Sequence, residues 1–333
     1  ANRGEIALRI IRACRELGIQ TVAVYSKADE LSLHTKFADE AICIGPNESA
    51  KSYLNIPSIL AAVELTNADS IHPGYGFLSE SAKFASICDD NNIKFIGSSS
   101  ETINLMGNKS LAKYTMQKVG VPIIPGSDGN VDSLEQAKYI SESMGYPVII
   151  KAASGGGGKG MRLVNNDSEL SNAYEMAKIE AEAAFSDANV YIEKFLKNPR
   201  HIEIQVICDG FGNVIPLGER ECSLQRRHQK ILEESPSCIM NDSLRNKLYE
   251  SSIKACNAVN YVGAGTIEYL VDDEFNYYFM EMNTRIQVEH PVTEMVLGID
   301  LIKNQILCHS QIPLPDWMKD MKLRGHSIEC RIN

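Results

Sequence analysis

The stretch Ile6-Ala7-Leu8-Arg9-Ile10-Ile11-Arg12-Ala13-Cys14-Arg15-Glu16-Leu17-Gly18-Ile19-Gln20-Thr21-Val22-Ala23-Val24-Tyr25 sets the fold class. As far as Leu17 its apolar residues return at three- and four-residue spacing, the period of a helix with one buried face. Gly18 closes that helix, and Thr21 to Tyr25 is an apolar run of strand length. The alternation continues outward. Ala41 to Ile44 reads as a strand, Ile56 to Leu65 as a helix, Asp69 to His72 as a strand, Ala82 to Asp89 as a helix and Ile93 to Ile96 as a strand. Such alternation predicts a parallel sheet covered on both sides, a doubly wound α/β domain. No G-x-G-x-x-G occurs, so a dinucleotide site would lack its phosphate loop.

Beyond Ser98 the pattern changes. A helix is predicted around Asn108 to Val119, ended by Gly120 and Pro122, and Tyr146 to Lys151 is a strand. Ser154-Gly155-Gly156-Gly157-Gly158-Lys159-Gly160 is a loop, Met161 to Val164 a return strand, Asp167 to Phe185 a long helix and Val190 to Glu193 another strand. From His201 the reading is mixed: a strand to Ile207, a turn at Asp209 to Asn213, another strand, helices and a last hairpin. An α+β domain is therefore expected to follow the α/β one.

The 333 residues are 44% hydrophobic and 23% charged, enough for two or three well-filled cores. A net charge of −10 argues against a general binder of nucleic acid or anionic membrane. No apolar run could cross a bilayer and no signal-peptide pattern is present, so a cytoplasmic location is expected. Nine cysteines without a C-x-x-C pair read as reduced thiols, and the seven histidines lack zinc-ligand spacing. The chain enters a helix directly at Ala1-Asn2-Arg3-Gly4-Glu5, and Glu329 to Asn333 stop inside an alternating run. Both ends are expected to be cuts through a longer protein.

Chemistry concentrates in the last hairpin. Thr266-Ile267-Glu268-Tyr269-Leu270-Val271 and Tyr278-Phe279-Met280-Glu281-Met282-Asn283-Thr284-Arg285-Ile286-Gln287-Val288-Glu289-His290 both alternate at period two, with Asp272 to Asn276 as the connection. Symmetric closure would set Glu268 opposite Glu281, with Asn283, Arg285, Gln287 and Glu289 following on the side of Glu281. Facing acids repel unless a cation lies between them. Two carboxylates and a carboxamide, with no sulfur, suit Mg²⁺ or Mn²⁺ completed by phosphate oxygens. A merely solvated face is the competing reading, but Lys, Ser and Thr would be its usual residues.

Three other segments stand out. The glycine loop can wrap backbone N–H groups around phosphate. It is no Walker A loop, since Gly160 follows Lys159 and strands flank it, so a hairpin lid over a nucleotide or a plain surface turn remains. Lys151, at the end of the preceding strand, would reach phosphates beneath such a lid. Gln225-Arg226-Arg227-His228-Gln229-Lys230 is a basic cluster suited to a small oxyanion, or to solvent. His72-Pro73-Gly74-Tyr75-Gly76-Phe77 ends a predicted parallel strand, where such sheets bind ligands, or is a structural Pro-Gly turn.

Taken in order, Ala1 to Ala7, His72 to Glu80, Lys151 to Met161, Gln225 to Lys230, Gly263 to Glu268, Glu281 to Glu294 and Arg324 to Asn333 resemble biotin carboxylase. This is the ATP-grasp component of biotin-dependent carboxylases, and the resemblance runs along the whole chain. It is strongest to the stand-alone type found in bacterial acetyl-CoA carboxylase. It implies a Rossmann-like pre-ATP-grasp domain over residues 1–106 and an ATP-grasp domain over 107–310, with a glycine-rich lid at about 123–196. Residues 311–333 would begin a C-terminal domain.

The resemblance also implies roles. Lys109, Lys151, Gly157, Gly158, Glu193, Lys194, Phe195, Leu196 and His201 would contact ATP, the segment at Glu193 serving the adenine. Gln225 and His228 would line the nucleotide and ribose side. Glu268, Glu281 and Asn283 would hold Mg²⁺ or Mn²⁺ against the ATP phosphates. Lys230, Arg285, Gln287 and Val288 would hold bicarbonate, with Glu289 as its general base. Arg331 would contact bicarbonate and the ureido oxygen of biotin, with Tyr75 nearby.

The implied reaction is ATP-dependent carboxylation of biotin on a carrier protein through carboxyphosphate. That is the first half-reaction of acetyl-CoA carboxylase in fatty acid synthesis, or of another acyl-CoA, pyruvate or urea carboxylase. The implied partners are a biotin carboxyl carrier protein or domain, a carboxyltransferase and, in the full-length form, a second copy. Family members begin with a strand before Ala1 and continue past Asn333, so a catalytically impaired nucleotide-binding fragment is the other expectation. No Met-Lys-Met biotin-attachment motif occurs, which places the carrier elsewhere.

Overall fold

The computed structural model describes residues 1–153, 161–185, 187–227 and 229–332. Two compact units emerge, one of Ala1–Pro122, Arg200–Leu270 and Phe279–Asn333, the other of Ile123–Pro199 and Val271–Tyr278.

The first unit opens with α1 (Gly4–Glu16), β1 (Val22–Ser26), α2 (Leu33–Phe37), β2 (Glu40–Gly45), α3 (Ile56–Thr66), β3 (Ser70–Ile71), α4 (Ala82–Asp90) and β4 (Lys94–Phe95). This is the expected alternation. Ile6, Ile10 and Ala13 fall on the buried stripe of α1 because they recur at helical spacing. Asn55 and Ser81 start α3 and α4 by accepting from the backbone N–H groups of Ser58 and Phe84. The strands pair in parallel, β1 with β2 and β3 with β4. They form two pairs instead of one continuous sheet, and a cavity of about 960 Å³ is lined by both, including Val22, Ala23, Ser70 and His72. Val24, Ile44, Ile59, Ile71, Phe84 and Phe95 share one core. Full burial of each such side chain contributes about 1.5–3 kcal/mol.

Within this stretch two helices are absent from the sequence reading: α2, too short to show a period, and α5 (Ser100–Gly107). The next helix, α6 (Lys109–Lys118), begins after Asn108. That side chain caps it by accepting from Ser110 N and Leu111 N.

The second unit contains α7 (Leu134–Met144), β5 (Val148–Ala152), β6 (Met161–Val164), α8 (Asp167–Phe185) and β7 (Val190–Lys194). Its sheet has the order β6-β5-β7, with both neighbours antiparallel to β5. Val148 and Ile150 pack with Val164, Val190 and Ile192 against Leu170, Ala177 and Ala181 of α8. The glycine loop Ser154 to Gly160, with Gly157 and Gly158, lies outside the described residues, as does His228.

The remaining elements are β8 (Arg200–Cys208), β9 (Val214–Arg226), β10 (Gln229–Ser235), α9 (Asp242–Ala258), β11 (Gly263–Val271), β12 (Tyr277–Asn283), α10 (His290–Leu297), α11 (Leu301–His309) and β13 (Ser327–Cys330). They include a six-stranded sheet of order β12-β11-β8-β9-β10-β13. Strands β8 and β9, β9 and β10, and β10 and β13 pair antiparallel. Helices α9 and α11 pack against β8, which is buried on both faces, as is β11. Strand β11 is therefore buried beyond the single face that its alternation predicts, while β12 keeps half-buried positions at Tyr277, Tyr278, Met280 and Glu281.

A second correction concerns β12, which stops at Asn283 instead of running to His290. Glu80 Oε1 accepts from Thr284 N at 3.1 Å, and Oε2 accepts from Arg285 Nε at 2.8 Å. Glu289 then becomes the N-cap residue of α10, which has a proline in its first turn. Arg285, Gln287 and Glu289 consequently do not extend one strand face.

Candidate active site on the polar face of the sheet

Strand register gathers the charged side chains. On β8, His201, Glu203 and Gln205 alternate to one side, and Glu203 stands opposite Arg220 of β9. Lys230 of β10 pairs with Gln225, and Glu233 with Glu329 of β13. From the other edge, β11 and β12 contribute Glu268, Glu281 and Asn283.

The deepest member is Arg220, with no exposed surface. It donates to Glu203 Oε2 from Nε (3.3 Å) and from a terminal nitrogen (3.1 Å). Gln205 Oε1 at 2.7 Å, Thr293 Oγ1 at 2.9 Å, Thr266 Oγ1 at 3.1 Å and Gln287 Oε1 at 2.6 Å complete its shell. A buried guanidinium is tolerated because its donors are met and a carboxylate balances its charge.

Above it, Lys230 Nζ lies 2.9 Å from Glu268 Oε1 and 2.9 Å from Glu289 Oε1, and also bonds Glu203. Burial disfavours the ammonium, but Glu203, Glu268 and Glu289 outweigh it and hold its pKa above the ordinary lysine value. His201 Nε2 is 2.7 Å from Glu268 Oε2, an ion-pair contact without hydrogen-bond alignment, and its Nδ1 is 2.9 Å from Gln225 Nε2. Burial again opposes the charge, yet Glu203 and Glu268 push the imidazole up to about 9. Glu268 moves the other way: burial would raise it, while His201 and Lys230 draw it down to about 2. Glu281 is pushed up by burial and then by Glu268, with Lys109 the largest opposing influence.

Glu289 is clamped between two cations, Lys230 on Oε1 and an Arg331 terminal nitrogen on Oε2 at 2.9 Å. Arg331 Nε donates to Glu233 Oε1 at 2.7 Å. Beside them Arg285 donates to Asn283 Oδ1 at 2.9 Å, while Asn283 Nδ2 and Gln287 Nε2 donate to Glu268 Oε1 at 2.8 and 3.0 Å. Val288 is half-buried in the turn before α10. Tyr75 donates its hydroxyl to Glu5, and its pKa is raised by burial and by that carboxylate, with smaller influences from Glu329 and Arg331.

The sequence-predicted residues thus divide. Lys230, His201, Gln225, Glu268, Glu281, Asn283, Arg285, Gln287, Glu289 and Arg331 form one network. In the second unit Lys151 Nζ is 2.5 Å from Glu193 Oε2, Lys194 Nζ donates to Gly145 O at 2.9 Å, and Phe195 N donates to Pro147 O at 3.1 Å, with Leu196 following. The basic cluster does not act as one. Arg226 and Arg227 are exposed at the β9–β10 turn, and among the described cations of the cluster Lys230 alone reaches the acids, so these three do not form a single cationic patch. Sequence reasoning missed Glu80, Glu203, Arg220 and Glu233. The signal for Glu203 was available: His201-Ile202-Glu203-Ile204-Gln205-Val206 alternates polar and apolar residues in a strand whose apolar side is core.

Glu268, Glu281 and Asn283 supply hard oxygen donors, and one acid raises the pKa of the other, an arrangement that a divalent cation would relieve. Metal-capable atoms of His201, Glu203 and Glu268 also lie within 4.8 Å of one another.

Comparison with known proteins agrees with this geometry. Residues 1–103 match the family model for the biotin carboxylase N-terminal domain, and 108–316 that for the carbamoyl-phosphate synthase L chain ATP-binding domain. Biotin carboxylase of Nostoc sp. (strain PCC 7120) is 58% identical over 333 residues, 100% of this chain and 74% of that protein. The structure of the biotin carboxylase–β,γ-ATP complex from Campylobacter jejuni has 56% identity and a TM-score of 0.88, covering 99% of this chain and 74% of its own. The biotin carboxylase domain dimer of Hydrogenobacter thermophilus 2-oxoglutarate carboxylase, with MgADP, ADP and bicarbonate, has 48% identity and a TM-score of 0.85, covering 99% and 73%. Identity at this level along the whole chain, over a sheet whose polar face carries the matching residues, leads to one conclusion: the chain belongs to the biotin carboxylase family.

Proposed function

We propose that this chain carboxylates biotin on a carrier protein, consuming ATP and bicarbonate and releasing ADP and phosphate. The observation that carries the reading is Glu289 held between Lys230 and Arg331, next to the Glu268–Glu281–Asn283 oxygens.

Bicarbonate would enter by exchanging for these internal partners, with Lys230, Arg285, Gln287 and the backbone at Val288 fixing its orientation. Glu289 takes the bicarbonate proton as an oxygen bonds to the γ-phosphorus and the bond to ADP breaks, giving carboxyphosphate. Carboxyphosphate separates into CO₂ and phosphate, and the phosphate removes the biotin N–H proton as nitrogen bonds to CO₂. Arg331, near Tyr75, would stabilise the negative ureido oxygen. Glu268, Glu281 and Asn283 would hold Mg²⁺ or Mn²⁺, which neutralises phosphate charge when bound. Lys109, Lys151, Gly157, Gly158, Glu193 to Leu196, His201, Gln225 and His228 are proposed as the remaining ATP contacts.

The proposed domains are 1–106, 107–310 with its lid, and 311–333. Proposed partners are the biotin carrier, a carboxyltransferase and a second copy of the chain. Among the described residues no helix is long and apolar enough to cross a membrane, and a cytoplasmic location is proposed.

Steady-state ATP hydrolysis by the full-length protein, with and without bicarbonate and free biotin, tests the reading. Hydrolysis should require bicarbonate and rise with biotin. A folded enzyme that ignores biotin would be a ligase for a different carboxylate.

A further inference from the structure

We propose that Glu233 is the positioning residue for Arg331. It grips the guanidinium at Nε and keeps the terminal nitrogens aimed at Glu289 and the biotin oxygen through the reaction. The inference rests on the function proposed above and adds a residue to it.

Glu233 has no exposed surface and stands directly opposite another acid, Glu329, across β10 and β13. Opposed acids on neighbouring strands are unfavourable, and a buried carboxylate short of partners more so. Oε1 accepts from Arg331 Nε at 2.7 Å, whereas Oε2 has no hydrogen-bond partner among the described residues. Packing alone would fill such a buried strand position with an aliphatic side chain. The acid makes physical sense as an anchor for Arg331.

The reaction supplies the reason for an anchor. When Glu289 accepts a proton it becomes neutral, and its ionic hold on both cations weakens. Lys230 still has Glu203 and Glu268. Arg331 follows strand β13, tied there by its N–H to Ile231 O at 3.1 Å, and among the described residues its other ion-pair partner is Glu233, with Glu329 a smaller influence. Without that acid the guanidinium would be freed at the step that precedes biotin deprotonation.

A double-mutant cycle on the full-length enzyme tests this. Glu233→Gln keeps the size and an acceptor but removes the charge, and should lower biotin-dependent turnover at least tenfold with the nucleotide Kd within twofold of the parent. Arg331→Ala should lower turnover further, and adding Glu233→Gln to it should change turnover less than twofold. A loss confined to the Arg331-containing background is not what a merely structural residue would give. Its losses would multiply and nucleotide affinity would fall with stability. Multiplying losses, or a Glu233→Gln variant within twofold of the parent, would overturn the proposal. If the Gln variant does not fold, Glu233→Asp enters the same cycle under the same criteria. A parent lacking biotin-dependent turnover would instead overturn the functional reading, before any variant is made.

Discussion

Glu203 and Arg220 face each other across β8 and β9, both fully buried, with the guanidinium 3.1 and 3.3 Å from one carboxylate oxygen. Glu203 uses its other oxygen for Lys230, so this pair forms the floor on which the reactive residues rest.

Removing half of that pair should be severe. Arg220→Met leaves Glu203 without its guanidinium and frees Gln205, Thr266 and Gln287, and is expected to destabilise the protein by about 3–5 kcal/mol. Urea denaturation measures the loss. A change below about 1 kcal/mol would show that the network contributes little to folding.

Glu289→Gln should separate binding from chemistry. The amide cannot take a proton, so turnover should fall by about 10²- to 10⁴-fold. Nucleotide affinity, followed by equilibrium dialysis, should persist. Lost affinity would contradict its assignment as the base.

Two opposite effects are expected of Glu281→Gln. Because burial and Glu268 push the Glu281 carboxyl up, the neutral amide should raise metal-free stability. The Mg²⁺ concentration for half-maximal turnover should rise by about tenfold or more, since a negative oxygen ligand is gone. Near-parental Mg²⁺ dependence would remove Glu281 from the ligand set.

Glu329 offers a pH signature. Burial, then Glu233 and Glu289, push its carboxyl from 4.5 up to about 7. The folded protein therefore binds a proton at pH values where the unfolded chain has released it. Its contribution is most favourable below 4.5 and declines as pH rises through 7. Comparing parent with Glu329→Gln, the stability difference should shift against the parent between pH 5 and 8, by about 1–3 kcal/mol given its partial exposure. Parallel denaturation profiles at the two pH values would refute the assignment.

Local sequence carried part of this picture. The α/β half was legible because α1 and the strands after it have different apolar periods, and the opposed acids of the last hairpin were legible as an electrostatic conflict. The end of β12 was not, since it is imposed by Glu80, which lies 205 positions from Arg285. Lys230 could be seen only as one of several bases. It stands opposite Gln225 and reaches the acids while Arg226 and Arg227 meet solvent. Arg220 was hidden for a related reason: a charge set between Glu219 and Glu221 reads as one more polar residue and says nothing of the remote Thr293 and Gln287 that receive it.

The grip of Glu80 on Arg285 also bears on recombination between relatives. Swapping only the first hundred residues exchanges the hand that holds the arginine proposed to bind bicarbonate, so chimaeras crossed between positions 80 and 285 should inherit a mismatched grip on Arg285 unless the donor brings an acid of the same reach.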